Sequence, residues 1–124
     1  MGKKVIVIDD SKTIREMVRF ALERAGYSIV EAVDGRDGFD KLKSLPDLAM
    51  AIVDVNMPNM SGIEMLEALK QGTIAQNVPA IMLTTEGAAT LIQRAKQAGA
   101  RGWMVKPFKP DLLVAAVGKL AGAP

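Results

Sequence analysis

Five short apolar runs alternate with five segments of helical periodicity along this 124-residue chain, and that alternation constrains the fold more than any other feature. Val5-Ile6-Val7-Ile8 is a β-branched run, the mark of a buried strand. Ile14, Met17, Val18, Ala21, Leu22 and Ala25 then recur at three- and four-residue steps, the stripe of an amphipathic helix. Asp10 or Ser11 caps it and Gly26 ends it. Tyr27 to Val33 reads as a second, less apolar strand, suited to a sheet edge. Asp34-Gly35 marks a turn or cap, and Phe39, Leu42 and Leu45 give a short second helix closed by Pro46-Asp47. Leu48 to Val53 is continuously apolar, as expected of a strand buried on both faces of a parallel sheet. Ser61 and Glu64 form an S-x-x-E capping box before a helix carrying Ile63, Leu66 and Leu69, with Gly72 as its stop. Pro79 to Leu83 is a fourth strand, and a fourth helix is predicted from about Ala88 to Ala98. Gly102 to Val105 is a short fifth strand. Pro110 opens a last helix with Leu112, Leu113, Ala116, Val117 and Leu120 on one face. Strict alternation predicts one α/β domain over residues 1–124, a doubly wound (βα)5 parallel sheet with right-handed crossovers.

The polar residues at the strand ends come next. Strand one stops at Asp9 and Asp10, strand three at Asp54, strand four at Thr84 and strand five at Lys106. Parallel strands place their carboxyl ends on one edge, where ligands of open α/β sheets bind. Taken singly, each residue has a bland reading as a cap, a turn or a solvated charge. Taken together, three carboxylates on one edge repel and call for cations.

The composition limits what those cations are. The chain has no histidine and no cysteine, which removes imidazole bases, thiol nucleophiles, disulfides and soft-metal sites. An all-oxygen site suits Mg²⁺, which often shares its shell with phosphate. A carboxylate beside Mg²⁺, a lysine and a hydroxyl is a set of groups for phosphoryl transfer, with the carboxylate as nucleophile. A net charge of +2 gives no nucleic-acid footprint, and no apolar run approaches membrane-spanning length. Met1-Gly2-Lys3-Lys4 leads into a strand with no secretory apolar region, so a cytoplasmic location is expected.

The stretches V-I-V-I-D-D-S, I-V-D-V-N-M-P-N-M-S-G, I-M-L-T-T-E and A-G-A-R-G-W-M-V-K-P-F run in order from Val5 to Phe108. In these the chain resembles the receiver domains of bacterial two-component response regulators, and most of all the stand-alone, CheY-like chemotaxis type. The resemblance implies a flavodoxin-like fold with strand order 2-1-3-4-5. It implies that Asp54 accepts phosphate from a histidine kinase. Asp10 and Asp54, with the main-chain carbonyl of Asn56, would be direct Mg²⁺ ligands, and Asp9 an outer acid holding metal-bound water. Thr84 would be the switch hydroxyl and Lys106 the phosphate-pairing lysine, with a cis bond to Pro107. Trp103 stands at the aromatic switch position, while Asn56 and Glu86 would flank the phosphoryl group and tune its lifetime. The protein is then expected to catalyse its own phosphorylation and slow dephosphorylation rather than turn over a substrate. Output is expected from a monomer that docks a protein target, such as a flagellar switch protein, on its fourth helix, fifth strand and fifth helix. Lys109 before Pro110 leaves the last helix without a side-chain cap.

Three alternatives remain at this level. A phosphorelay shuttle or phosphate sink would share the whole site. A flavodoxin-like FMN binder would want a hydroxyl- and glycine-rich loop after strand one, where this chain has Asp9-Asp10-Ser11. A phosphatase with an aspartyl intermediate would want an acid near Asp54, where Asn56 stands.

Overall fold

The computed structural model describes residues 2–72, 74, 77–85 and 89–124. Strands and helices alternate as β1 (Lys4–Ile8), α1 (Lys12–Arg24), β2 (Ser28–Ala32), α2 (Gly35–Ser44), β3 (Leu48–Asp54), α3 (Gly62–Gln71), β4 (Ala80–Thr84), α4 (Ala89–Gln97), β5 (Ala100–Val105) and α5 (Pro110–Ala121). All pairings are parallel, and the sheet order is β2-β1-β3-β4-β5, with β2 at an edge. The order reverses between β1 and β3, and at such a point the crossovers leave to opposite faces and open a crevice.

Side chains that alternate along each strand sort into two cores. Val5, Val7, Ile29, Met50, Ile52, Ile81 and Leu83 pack against α1 and α5 through Val18, Leu22, Leu113 and Val117. Ile6, Ile8, Ala51, Val53 and Met82 pack on the other face against α2, α3 and α4 through Leu42, Ile63, Met65, Leu66 and Ala95. β3 is buried on both faces, which is why its run is unbroken in the sequence.

The helix ends follow the local chemistry. Ser11 is the α1 cap, accepting from the Ile14 N–H, so Asp10 is left out of that role. Asp34 caps α2. Ser61 and Glu64 complete the capping box of α3. α5 starts behind Lys109 with no side-chain cap. Gly26 turns the chain out of α1 at φ 105°, a left-handed conformation that disfavours side chains.

Several boundaries differ from those predicted. β3 and β4 each extend one residue further, so Asp54 and Thr84 are themselves the last strand residues. β5 begins at Ala100 rather than Gly102 because the pairing with Ala80 continues across a register shift. The predicted start of the fourth helix at Ala88 lies outside the described residues. Gly72 ends α3 at φ −83°, so it acts there without a left-handed turn. Met17 and Leu112, assigned to buried stripes, are 41% and 58% exposed. At about 100° per residue each stands one step off a stripe centred on Val18 and Leu22 in α1, or on Leu113 and Val117 in α5.

A candidate phosphoryl-transfer site at the sheet edge

The strand register assembles the site. Ile8 pairs with Val53, so Asp9 and Asp54 follow side by side at the β1/β3 crevice. Asp54 pairs with Leu83, and Thr84 with Val105, so Thr84 and Lys106 come one step further across the same edge. The Lys106 N–H donates to the Thr84 carbonyl at 2.7 Å and carries the pairing past the strand end.

Lys106 reaches back over that edge. Its ammonium donates to Asp9 Oδ2 at 2.9 Å and to Asp54 Oδ1 at 3.1 Å. Oxygens of Asp9, Asp10 and Asp54 lie within 4.8 Å of one another. Asp9, Asp54 and Thr84 are buried, whereas Asp10 is exposed at the rim. The Lys106–Pro107 peptide is cis.

The electrostatics are unbalanced. Burial, and then the charge of Asp9, push the Asp54 carboxyl up to about 6, against the opposing pull of Lys106 and the Asn56 N–H. Burial works against the Lys106 ammonium, but hydrogen bonds to Asp9 and Asp54 outweigh it and raise its pKa. One lysine therefore serves two of three clustered carboxylates, and the site carries excess negative charge that a proton or a metal cation can offset. The donor set is oxygen only, which fits a hard divalent ion such as Mg²⁺.

The end of β3 is held from behind by α3. The Gly62 N–H donates to the Val55 carbonyl at 3.1 Å. A Cβ on Gly62 would lie 2.2 Å from the Asp54 carbonyl oxygen, so only glycine allows this approach.

Residues 5–118 match the response regulator receiver domain. The chain belongs to the response regulator receiver family. As a receiver it is 36% identical over 111 residues to the chemotaxis protein CheY1 of Helicobacter pylori, spanning 89% of this chain and 90% of that one. It is 34% identical over 123 residues to CheY of Thermotoga maritima, spanning 98% and 99%. Among solved structures, the chemotaxis protein CheY4 of Vibrio cholerae superposes with a TM-score of 0.89 at 38% identity, covering 97% of this receiver and 99% of that chain.

The receiver fold brings Asp9, Asp10, Asp54, Thr84 and Lys106 to one edge. Asn56 follows on the β3–α3 loop with its side chain exposed, and it meets Asp54 through its main-chain N–H. Glu86 lies outside the described residues. Trp103 is half-buried on β5 opposite Met82, and its indole Nε1 is fully buried with no hydrogen-bond partner among the described residues. The sequence reading did not single out Arg15. Its Nη1 donates to the Asp9 carbonyl at 2.7 Å, and its Nε donates to Glu31 Oε1 at 3.0 Å. The signal was present: Arg15 stands three residues before Val18 and seven before Leu22, inside the buried stripe of α1.

Proposed function

We propose that this receiver is a phosphorylation-dependent signalling switch whose Asp54 accepts a phosphoryl group from a histidine kinase in the cytoplasm. The observation that carries the reading is the Lys106 ammonium shared by the buried carboxylates of Asp9 and Asp54, with Asp10 alongside. A salt bridge alone would not need a third acid beside the two that share the lysine.

In the transfer, an Asp54 oxygen forms the new P–O bond. The P–N bond of the donor phosphohistidine breaks, and the imidazole takes the electron pair. Lys106 exchanges its hydrogen bond to Asp54 for one to a phosphoryl oxygen, and the Thr84 hydroxyl donates to another. Mg²⁺ would be held by Asp10, Asp54 and the main-chain carbonyl of Asn56, with Asp9 as the outer acid, and would neutralise charge on the phosphoryl oxygens. Asn56 and Glu86 tune how water reaches the product.

The new anion draws Thr84 towards it and frees space beside Trp103, which then turns inward. The buried indole N–H, which has no partner among the described residues, supports this, because a donor left so favours a rearrangement that supplies an acceptor. The readout surface is α4, β5 and α5, as a monomer. Exposed Val105 and Leu112 supply apolar area there, Leu112 lying on the opposite flank of α5 from Val114, which faces α1. The named relatives are chemotaxis proteins, which supports a chemotaxis output here; the target we propose for it is a protein such as a flagellar switch protein.

The test is labelling with an acyl phosphate. Wild type takes up phosphate only with Mg²⁺, and Asp54→Asn takes up none. Labelling that survives Asp54→Asn, or that ignores a chelator, overturns the reading.

A further inference from the structure

Every polar group of Asp9 has a partner, and the partner of its carbonyl is a side chain of α1 that also reaches β2. The Asp9 N–H donates to the Ala32 carbonyl at 3.1 Å. Oδ1 accepts from the Ser11 N–H at 2.9 Å, and Oδ2 accepts from Lys106. The carbonyl accepts from Arg15 Nη1 at 2.7 Å. The Arg15 side chain is only 12% exposed. It is held in turn by Glu31 on β2, whose second oxygen accepts from Arg19 Nε at 2.9 Å.

The Asp9 carbonyl belongs to the peptide that joins Asp9 to Asp10. Fixing it fixes the plane of that peptide, and so the directions in which both side chains leave the backbone. Asp9 has to meet Lys106, and Asp10 has to stand beside Asp54. A guanidinium is a planar fork that spans a carbonyl and a carboxylate at set angles, and its bond to the carbonyl is charge-assisted. A lysine ammonium offers one point and cannot hold both partners in the same geometry.

We propose that Arg15 is a positioning residue of the acidic site. Through the Asp9 carbonyl it holds the Asp9–Asp10 turn so that both carboxylates converge with Asp54 on a divalent cation, and Glu31 anchors it there. The inference rests on the Mg²⁺ reading above. It makes the edge strand β2 part of the support of a site that β2 does not line. Arg19 provides the contrast within the same network, because it pairs with Glu31 and Glu23 but makes no bond to Asp9.

The experiment is calorimetric titration of Mg²⁺ into the full chain, for wild type, Arg15→Met, Arg15→Lys and Arg19→Met, with urea unfolding of each in chelator. Arg15→Met should bind Mg²⁺ about ten- to a hundredfold more weakly, the range for lost support of metal ligands. Arg15→Lys should fall between, and Arg19→Met should match wild type in Mg²⁺ affinity while losing stability. Wild-type affinity in Arg15→Met, or equal weakening in Arg19→Met, overturns the role of Arg15. If Arg15→Met does not fold, Arg15→Lys against Arg19→Met decides by the same ordering. A wild-type chain that binds no Mg²⁺ overturns the functional reading itself, which separates the two failures.

Discussion

Replacing Asp54 with asparagine should stabilise the metal-free protein at neutral pH. Asp54 is 3% exposed and shares one lysine with buried Asp9. Its carboxyl ionises near 6 in the fold, against an ordinary value of 3.8, chiefly because burial penalises the charge and Asp9 repels it. Between those values the native state holds a proton that the unfolded state has released, so stability falls as pH rises through this window. Above about pH 6 both states are ionised and the penalty is constant. The interval from 3.8 to about 6 corresponds to about 3 kcal/mol. Asparagine has nearly the same shape, carries no charge and still offers Lys106 an acceptor, though a weaker one. The expected net gain at pH 8 is about 1–3 kcal/mol. Urea unfolding in chelator, followed by the fluorescence of the single tryptophan, Trp103, measures it. The gain should shrink as pH falls from 6 towards 4. Mg²⁺ should close the gap from the other side by stabilising wild type more than Asp54→Asn. An asparagine variant no more stable than wild type at pH 8, or a gain that grows on acidification, would refute the reasoning.

Three further perturbations follow from the same geometry. Lys106→Met strands the buried anions of Asp9 and Asp54, so urea unfolding in chelator at pH 8 should show a loss of about 3–5 kcal/mol; at pH 5, where Asp54 is largely protonated, the loss should be smaller. Gly62→Ala would put a Cβ 2.2 Å from the Asp54 carbonyl and 2.7 Å from Val53 Cγ1. Overpacking of that kind costs about 1–3 kcal/mol, and the shifted strand end should slow acyl-phosphate labelling as well as lower the thermal midpoint. Ser61→Ala removes one bond of the α3 capping box and should cost about 1 kcal/mol in urea unfolding, with labelling at the wild-type rate.

The order of elements was legible because each carries a local signature. β3 announces itself as an unbroken apolar run, and α3 by a serine and a glutamate three residues apart. Such signals need only neighbouring residues, and they survive without knowledge of the fold. The acidic site was half legible. Strand ends are visible as polar residues after apolar runs, but which ends meet depends on the pairing of β1 with β3 and of β4 with β5. Met17 and Arg15 mark where residue type misleads although position on the helix does not. The apolar residue turns out to solvent and the cationic one turns in, because an acceptor on another element waits for it.

The chain alone determined an alternating α/β fold, the acidic, hydroxyl and lysine residues that stand at the strand ends, and the absence of imidazole and thiol chemistry. Those depend on composition and on periodicity over a few residues. The tertiary structure decided that Lys106 bridges Asp9 and Asp54 across 97 and 52 positions of sequence, and that Arg15 holds the turn behind them. A hydrogen bond is set to within tenths of an ångström by register and burial, and neither is written in any one stretch of residues.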